Sequence, residues 1–235
     1  MRILVWNANQ ALDRKWSAIE DCAPDVAVVP ECAEPSRLRS SKLAASTEWV
    51  GEKPAKGLGV FSFNEYYVAR HNSYSRDHRL FLPVTVTGPV RFNLLAVWSF
   101  YYNTGKGKGE STRATLRALE YYSTFIQKGP CIVAGDFNDN VLWDKQRCGG
   151  RFQESLDALA RYGFASLYHE TFHEGFGAET QPTLLWRRNR STTYHVDYCF
   201  ASPSTWVRGA SMELRQSELS DHCLLVVELS DHCAA

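Results

Sequence analysis

The stretch Cys131-Ile132-Val133-Ala134-Gly135-Asp136-Phe137-Asn138-Asp139-Asn140 constrains this chain more than any other. Its apolar start, rich in β-branched residues, reads as a buried strand. The strand runs into a glycine, then a carboxylate and a carboxamide that straddle one aromatic ring. Successive side chains of an extended backbone point to opposite faces, so Asp136 and Asn138 share a face while Phe137 turns back into the core. Two readings stand side by side here. Gly, Asp and Asn are ordinary turn formers, which makes this a polar strand-to-loop turn. Alternatively, two polar groups leaving a buried strand together are placed to hold a metal-associated water, a phosphate or a sugar hydroxyl.

The beginning of the chain has the order β-α-β. Arg2 to Trp6 reads as a strand, closed by the polar loop Asn7-Ala8-Asn9-Gln10. A helix is predicted over Asp13 to Cys22 and is stopped by Pro24. Asp25 to Pro30 is a short buried strand that delivers Glu31. Parallel pairing of these two strands puts Asn7 and Glu31 at the same end of one sheet. Ser36 to Ala45 reads as a second, weaker helix, and Val60 to Phe63 as a strand to which Tyr66 to Ala69 hairpins back across Asn64-Glu65. Leu80 to Val86 and Val90 to Trp98 are strands joined through Thr87-Gly88-Pro89, a turn signal that implies antiparallel pairing. The aromatic, basic, glycine-rich segment Tyr101 to Gly109 is expected to be mobile. A helix of about five turns follows from Glu110 to Gln127, with Leu116, Leu119, Tyr122, Phe125 and Ile126 on one stripe.

Beyond Asn140 the pattern predicts a helix near Phe152 to Tyr162 and irregular chain from His169 to Thr180. Strands follow at Thr183 to Trp186, Thr193 to Ala201, Trp206 to Leu214 and Leu224 to Leu229. Two mixed sheets packed face to face, with helices outside, accommodate a chain that is α/β at first and increasingly antiparallel later. No long linker interrupts residues 1–235, so a single domain is expected.

With 44% hydrophobic and 22% charged residues over 235 positions, the chain is globular and large enough to bury a sizeable core. Lys and Arg number 26 against 26 Asp and Glu. That balance gives no overall basic field for nonspecific DNA binding, though a local basic patch remains open. Seven cysteines, an odd number without a C-x-x-C pair, exclude zinc-ribbon, thioredoxin-like and disulfide-framework readings. The opening residues enter a strand without the apolar core of a signal peptide, and no apolar stretch is long enough to span a membrane. A reducing cytoplasm is the expected setting, and no obligate protein partner is evident.

Five polar clusters sit where apolar strands begin or end: Asn7, Glu31, Asp136 with Asn138, His195 with Asp197, and Asp221 with His222. Each has an adequate structural explanation alone, as a turn residue or a solvated loop. Asp197 is the exception, because it lies in Tyr194-His195-Val196-Asp197-Tyr198-Cys199-Phe200, where an unpaired carboxylate is costly to bury. His222 is an available partner. Together the clusters suit phosphoester hydrolysis. A hard divalent cation such as Mg²⁺ takes oxygen ligands, a role for Glu31 and Asp221. Asp136 is able to deprotonate a water that Asn138 and Asn7 help hold, and His222, fixed by Asp197, to donate toward a phosphoryl oxygen.

The ordered series Trp6-Asn7, Pro30-Glu31, Gly135-Asp136-Phe137-Asn138, His195-Val196-Asp197-Tyr198 and Ser220-Asp221-His222 resembles the endonuclease/exonuclease/phosphatase superfamily. That group includes deoxyribonuclease I-like nucleases, AP endonucleases, inositol polyphosphate 5-phosphatases and neutral sphingomyelinases. The resemblance spans essentially the whole chain. It implies a four-layer α/β/β/α sandwich and phosphoester cleavage that depends on Mg²⁺ or Mn²⁺. Carried over by position, it implies that Glu31 is a metal ligand, Asn7 supports the metal site and Asp221 completes the acidic cluster. It implies further that Asp136 and Asn138 handle the nucleophilic water and phosphate, while Asp197 and His222 form a carboxylate–histidine pair.

Three positions depart from the family pattern. Trp98 stands where nuclease branches carry His or Tyr, His195 where Arg is common, and Gln10 where Gly is frequent. Tyr101, Tyr102 or Asn103 are candidate substitutes for the missing His or Tyr. Trp186, Arg187, Arg188 and Arg190 form a basic strip beside an aromatic, readable as a substrate contact or as a solvated surface. The Lys106/Lys108 loop with Arg113 and Arg117 allows the same two readings. Of two Ser-Asp-His stretches, the first leads into the last strand and is assigned to the site; Asp231 and His232 are expected to be solvated tail. The expected function is a metal-dependent phosphodiesterase or nuclease with nucleic acid as partner. A phosphatase or phosphodiesterase for a small or lipid-derived phosphate, or a non-catalytic binding protein on the same scaffold, are the alternatives.

Overall fold

The computed structural model describes residues 1–39, 43–100, 110–146, 150–189, 191–202 and 204–230. Two six-stranded sheets face each other. The first runs in the order β13 (Ala210–Arg215), β14 (Leu224–Leu229), β1 (Arg2–Val5), β2 (Val26–Cys32), β4 (Lys56–Ser62), β3 (Ser46–Lys53). The second runs β5 (Tyr67–Arg70), β6 (Phe81–Thr87), β7 (Phe92–Trp98), β8 (Cys131–Asp136), β12 (Asp197–Ser202), β9 (Ala165–Ser166). A short ribbon pairs β10 (Leu184–Leu185) with β11 (Thr193–Tyr194). Both sheets are mixed: β1 and β2 pair in parallel, as do β7 and β8, and the neighbours on either side are antiparallel.

Alternation along the strands divides their side chains between an interior and two outer layers. Ile3, Val5, Val26 and Val28 of the first sheet meet Leu94, Ala96, Ile132 and Ala134 of the second in one inter-sheet core. On the far side of the first sheet, Leu4, Ala27, Val29 and Val226 lie under Leu12 of a 3₁₀ turn, Ile19 of α1 (Ser17–Glu20) and Trp16 at the junction before it. On the far side of the second, Leu95, Val97, Val133 and Phe200 lie under α2 (Glu110–Tyr121), α3 (Ser123–Ile126) and α4 (Phe152–Arg161). Each such buried Val, Leu or Phe contributes about 1.5–3 kcal/mol relative to exposure. This is the four-layer α/β/β/α sandwich that the motifs imply. Among the described residues no helix is long and apolar enough to cross a membrane.

Several local expectations are corrected. The helix predicted over Asp13 to Cys22 is only Leu12–Arg14 as a 3₁₀ turn followed by α1, although Trp16 and Ile19 do bury. In place of a helix over Ser36 to Ala45, the described residues hold a 3₁₀ turn at Pro35–Arg37 and 3₁₀ conformation at Arg39 and Leu43, and only Leu38 among them is buried. Val60 to Ser62 does not hairpin onto Tyr67: β4 pairs with β2 and β3, and β5 pairs with β6 in the other sheet. The turn at Asn64, with φ +54°, is therefore a corner between sheets. The strand predicted over Trp206 to Leu214 begins instead as α6 (Ser204–Arg208), and the one over Thr193 to Ala201 is broken at His195–Val196. The long helix breaks at Tyr122, where ψ is 8°. The segment from His169 begins inside α5 (Leu167–Phe172).

Candidate active site

Strand register brings three side chains together on the second sheet. Parallel β7 and β8 set Trp98 beside Asp136, and antiparallel β8 and β12 set Asp197 beside it on the other side. Gly135 permits this close pairing. Its φ is +147°, and a Cβ there would stand 1.8 Å from the Val97 carbonyl oxygen.

The facing sheet contributes Asn7 and Glu31. Asn7 Nδ2 donates to Asp136 Oδ2 at 2.8 Å and to Glu31 Oε1 at 3.4 Å. Glu31 sits where the β2–β4 register shifts between Pro30 and Cys32, with a left-handed φ of +59°. A bulge of this kind re-aims a side chain that strict alternation would send elsewhere. Asn7 Oδ1 in turn accepts from the Asn9 amide at 2.9 Å.

Asp136 is fully buried and is the hub of the cluster. Its Oδ1 accepts from the Asn138 backbone N–H and its Oδ2 from Asn138 Nδ2, both at 2.8 Å. Asn138 has a φ of +49°, so the amide folds back onto the carboxylate. Burial first, then repulsion from Asp197, holds the Asp136 carboxyl well above the usual carboxylate range.

His222 Nδ1 donates to Asp197 Oδ2 at 2.8 Å, and both residues are buried. Burial alone would lower the His222 pKa. The charge and hydrogen bond of Asp197, helped by Asp136 and Asp221, outweigh it and raise the imidazole to about 10. At neutral pH the ring is therefore an imidazolium with Nε2–H available as a donor. Asp197 Oδ1 is buried without a hydrogen-bond partner.

Thr183, which no motif signals, and Ser220, the first residue of the Ser-Asp-His motif, fix this pair. Thr183 Oγ1 accepts from the backbone N–H groups of both Val196 and Asp197, at 2.9 and 3.0 Å. Ser220 Oγ donates to the Asn7 carbonyl at 2.8 Å and accepts from His222 N–H at 3.1 Å, tying the Ser-Asp-His turn to the first polar loop. Asp221 accepts from Asn9 Nδ2 at 2.8 Å.

Carboxylate oxygens of Asp136 and Asp197 and a ring nitrogen of His222 all lie within 4.8 Å of one another, with Glu31 reached through the Asn7 amide; while the imidazole is protonated, only the carboxylates can act as ligands. An oxygen-rich donor set with one orphaned buried carboxylate oxygen fits a hard cation and its waters.

The predicted substrate contacts are dispersed. His195 is buried, its ring 4.3 Å from Tyr168 and 5.0 Å from Tyr198, and its Nδ1 donates to the Gln181 carbonyl at 2.9 Å. It lines, with Trp143, Tyr194 and Glu179, a cavity of about 80 Å³. Trp186 and Arg188 are exposed on the turn joining the ribbon strands, where Arg187 lies 5.9 Å from the Trp186 ring. Tyr101 and Asn103, like Lys106, Lys108, Arg190, Asp231 and His232, lie outside the described residues. Sequence reasoning also passed over Lys56, whose Nζ is 2.9 Å from Glu31 Oε2. A strand-opening lysine gives no warning of that.

A sequence model of the Endonuclease/Exonuclease/phosphatase family matches residues 6–232. The fold is similar to that of a 3'-5' exonuclease (NExo) from Neisseria meningitidis, with TM-score 0.72 and 17% identity over 98% of this chain and 100% of that one. It is similar also to an AP endonuclease from Archaeoglobus fulgidus, with TM-score 0.73 and 16% identity over 98% and 99% of the two chains. The endonuclease domain of TRAS1, a telomere-specific non-LTR retrotransposon, aligns with TM-score 0.64 and 18% identity over 97% of each chain. No curated protein matches the chain in sequence.

Proposed function

This chain belongs to the endonuclease/exonuclease/phosphatase family, whose named activities all cleave phosphoester bonds, and from that premise we propose that it is a divalent-metal-dependent phosphodiesterase acting on nucleic acid. The observation that carries this reading is the convergence of two hydrogen-bonded groups from separate stretches, Glu31–Asn7–Asp136 and Asp197–His222, with Asp136, Asp197 and His222 within 4.8 Å of one another.

When bound, a divalent cation such as Mg²⁺ or Mn²⁺ neutralises phosphoryl charge and polarises the scissile bond. Glu31 would hold it, with Asn7 and Asp221 in support. Asp136 takes the proton of the attacking water, and the raised proton affinity that burial gives it makes it a stronger base than an exposed carboxylate. Asn138 and Asn7 orient Asp136 through three hydrogen bonds and flank the water it activates. His222, held charged by Asp197, donates through Nε2–H to a phosphoryl oxygen as negative charge builds there. The exposed Trp186 with Arg187 and Arg188 supplies a stacking surface and positive charge suited to a nucleotide strand.

The test is a panel of single- and double-stranded DNA, RNA, a generic phosphodiester and inositol phosphates, each with Mg²⁺, Mn²⁺ or EDTA. Metal-dependent cleavage of a nucleic acid is expected. Turnover confined to the inositol phosphates would replace nucleic acid by a small phosphate as substrate, and inertness across the panel would refute hydrolysis.

A further inference from the structure

The residue beside Asp136 on the neighbouring strand is Trp98, whose buried indole carries no charge and whose Nε1 has no hydrogen-bond partner. A phosphate arriving here meets the carboxylates of Glu31, Asp136, Asp197 and Asp221 with His222 as the cation among them. Like charges at such distances repel an anionic substrate. A bound divalent cation would offset part of this negative charge; on the Trp98 side the indole adds none.

Lys56 supplies positive charge from the opposite sheet. It is the first residue of β4, paired with Lys53 at the closed end of the β3–β4 hairpin. Its Nζ lies 2.9 Å from Glu31 Oε2, 5.2 Å from the Trp98 ring centre and 4.8 Å from that of Phe100. The two rings, 5.1 Å apart, form a seat for the ammonium, and aromatic faces attract a cation. The Lys56 side chain is 30% exposed, so the charge is held near the cluster yet within reach of solvent. An ammonium has three donors, and a hydrogen bond to Glu31 uses one.

We infer that Lys56 is a phosphate-binding residue of this site, stored on Glu31 in the free protein and donating to a non-bridging phosphoryl oxygen when substrate enters. The inference deepens the proposed hydrolase reading and rests on it. No bond is made or broken at the lysine; it contributes charge and hydrogen bonds only.

Inorganic phosphate binding in the presence of Mg²⁺, measured by calorimetry on the full chain and on Lys56→Gln and Lys56→Arg, tests it, together with Mn²⁺ titration of the same proteins. Loss of a charge-assisted hydrogen bond should weaken phosphate about tenfold in Lys56→Gln. Lys56→Arg, which keeps the charge though not the shape of the ammonium, should retain more phosphate affinity than Lys56→Gln. Mn²⁺ should bind Lys56→Gln at least as tightly as wild type, because a cation competing for Glu31 is gone. Equal phosphate affinity in wild type and Lys56→Gln overturns the inference, as does absence of phosphate binding to wild type. Parallel weakening of phosphate and Mn²⁺ also overturns it, since Lys56 would then only shape Glu31. A wild type that binds phosphate through Lys56 but hydrolyses nothing in the panel refutes the hydrolase reading alone.

Discussion

An isolated carboxylate buried as completely as Asp136 would cost several kcal/mol, and the Asn7 and Asn138 amides offset that cost by donating into it. What remains of the cost appears as raised proton affinity, the property a general base needs. Asp136→Asn keeps the shape but cannot accept the proton, so turnover should fall at least about 100-fold while the circular dichroism spectrum stays native. Activity within a few-fold of wild type would remove Asp136 from the base role. His195 bears on stability, and its sign follows from burial. Burial holds its pKa below the ordinary value despite the nearby Glu179 and Asp197, with His169 pushing in the same direction as burial. The native ring stays neutral while the unfolded chain protonates it below pH ~6.5, so the unfolded state binds the extra proton. Stability is unaffected by His195 above that pH and falls below it, by up to about 1.4 kcal/mol per pH unit. His222 works with the opposite sign. Its pKa, raised to about 10, adds stability that is full below pH ~6.5 and is lost as pH rises toward about 10. Urea titrations of wild type and His195→Gln at mildly acidic and neutral pH should give a flatter acid limb for the variant. Parallel limbs would mean that His195 is charged in the native state.

Among elements, the strands that were legible are those with an unbroken apolar demand. The strand predicted from Leu224 to Leu229 appears with those bounds, and the one leading to Asp136 ends at it, because both are buried on two faces. β3 was not legible. Ser46-Thr47-Glu48 is polar and lies on an edge strand, where one side needs no partner and apolar alternation is not demanded. The break at His195–Val196 was hidden for another reason: it is stabilised from a distant segment by Thr183, which intercepts two backbone N–H groups that a continuous strand would have spent on a neighbour. The motifs named the polar groups that meet and, in Ser220, one of their supports; the others, Thr183 and Lys56, are single residues in unremarkable surroundings. This gives Thr183 a measurable weight. Thr183→Val leaves two buried N–H groups without an acceptor, at a cost of about 2–4 kcal/mol in chemical denaturation, and should loosen Asp197 enough to reduce turnover. Thr183→Ser keeps the oxygen and should recover most of both. A Val variant as stable as wild type would show that water or a shifted carbonyl replaces the hydroxyl.

For the whole molecule, charge balance sets how a polyanion would be held. Equal numbers of basic and acidic residues give no long-range field, so attraction must be local. Among the described residues, the local cations in reach of the cluster are few. Lys56 sits on Glu31, and Lys15 is close enough to Arg188, Asp221 and Glu31 to feel the charge of each. Arg187 accompanies the exposed Trp186 on the adjoining turn. Against these stand the buried acids of the cluster, which a bound cation would offset only in part. A single-stranded oligonucleotide should therefore release few counterions, corresponding to about three phosphates. The logarithmic salt slope should then be about −2, so raising salt fourfold weakens binding roughly 20-fold. Fluorescence anisotropy with the inactive Asp136→Asn protein across a salt series measures this directly. A slope steeper than about −5 would require a basic track well beyond these residues. A slope near zero would mean that stacking on Trp186, and not charge, holds the strand, and Trp186→Ala should then cost more affinity than the loss of either neighbouring arginine.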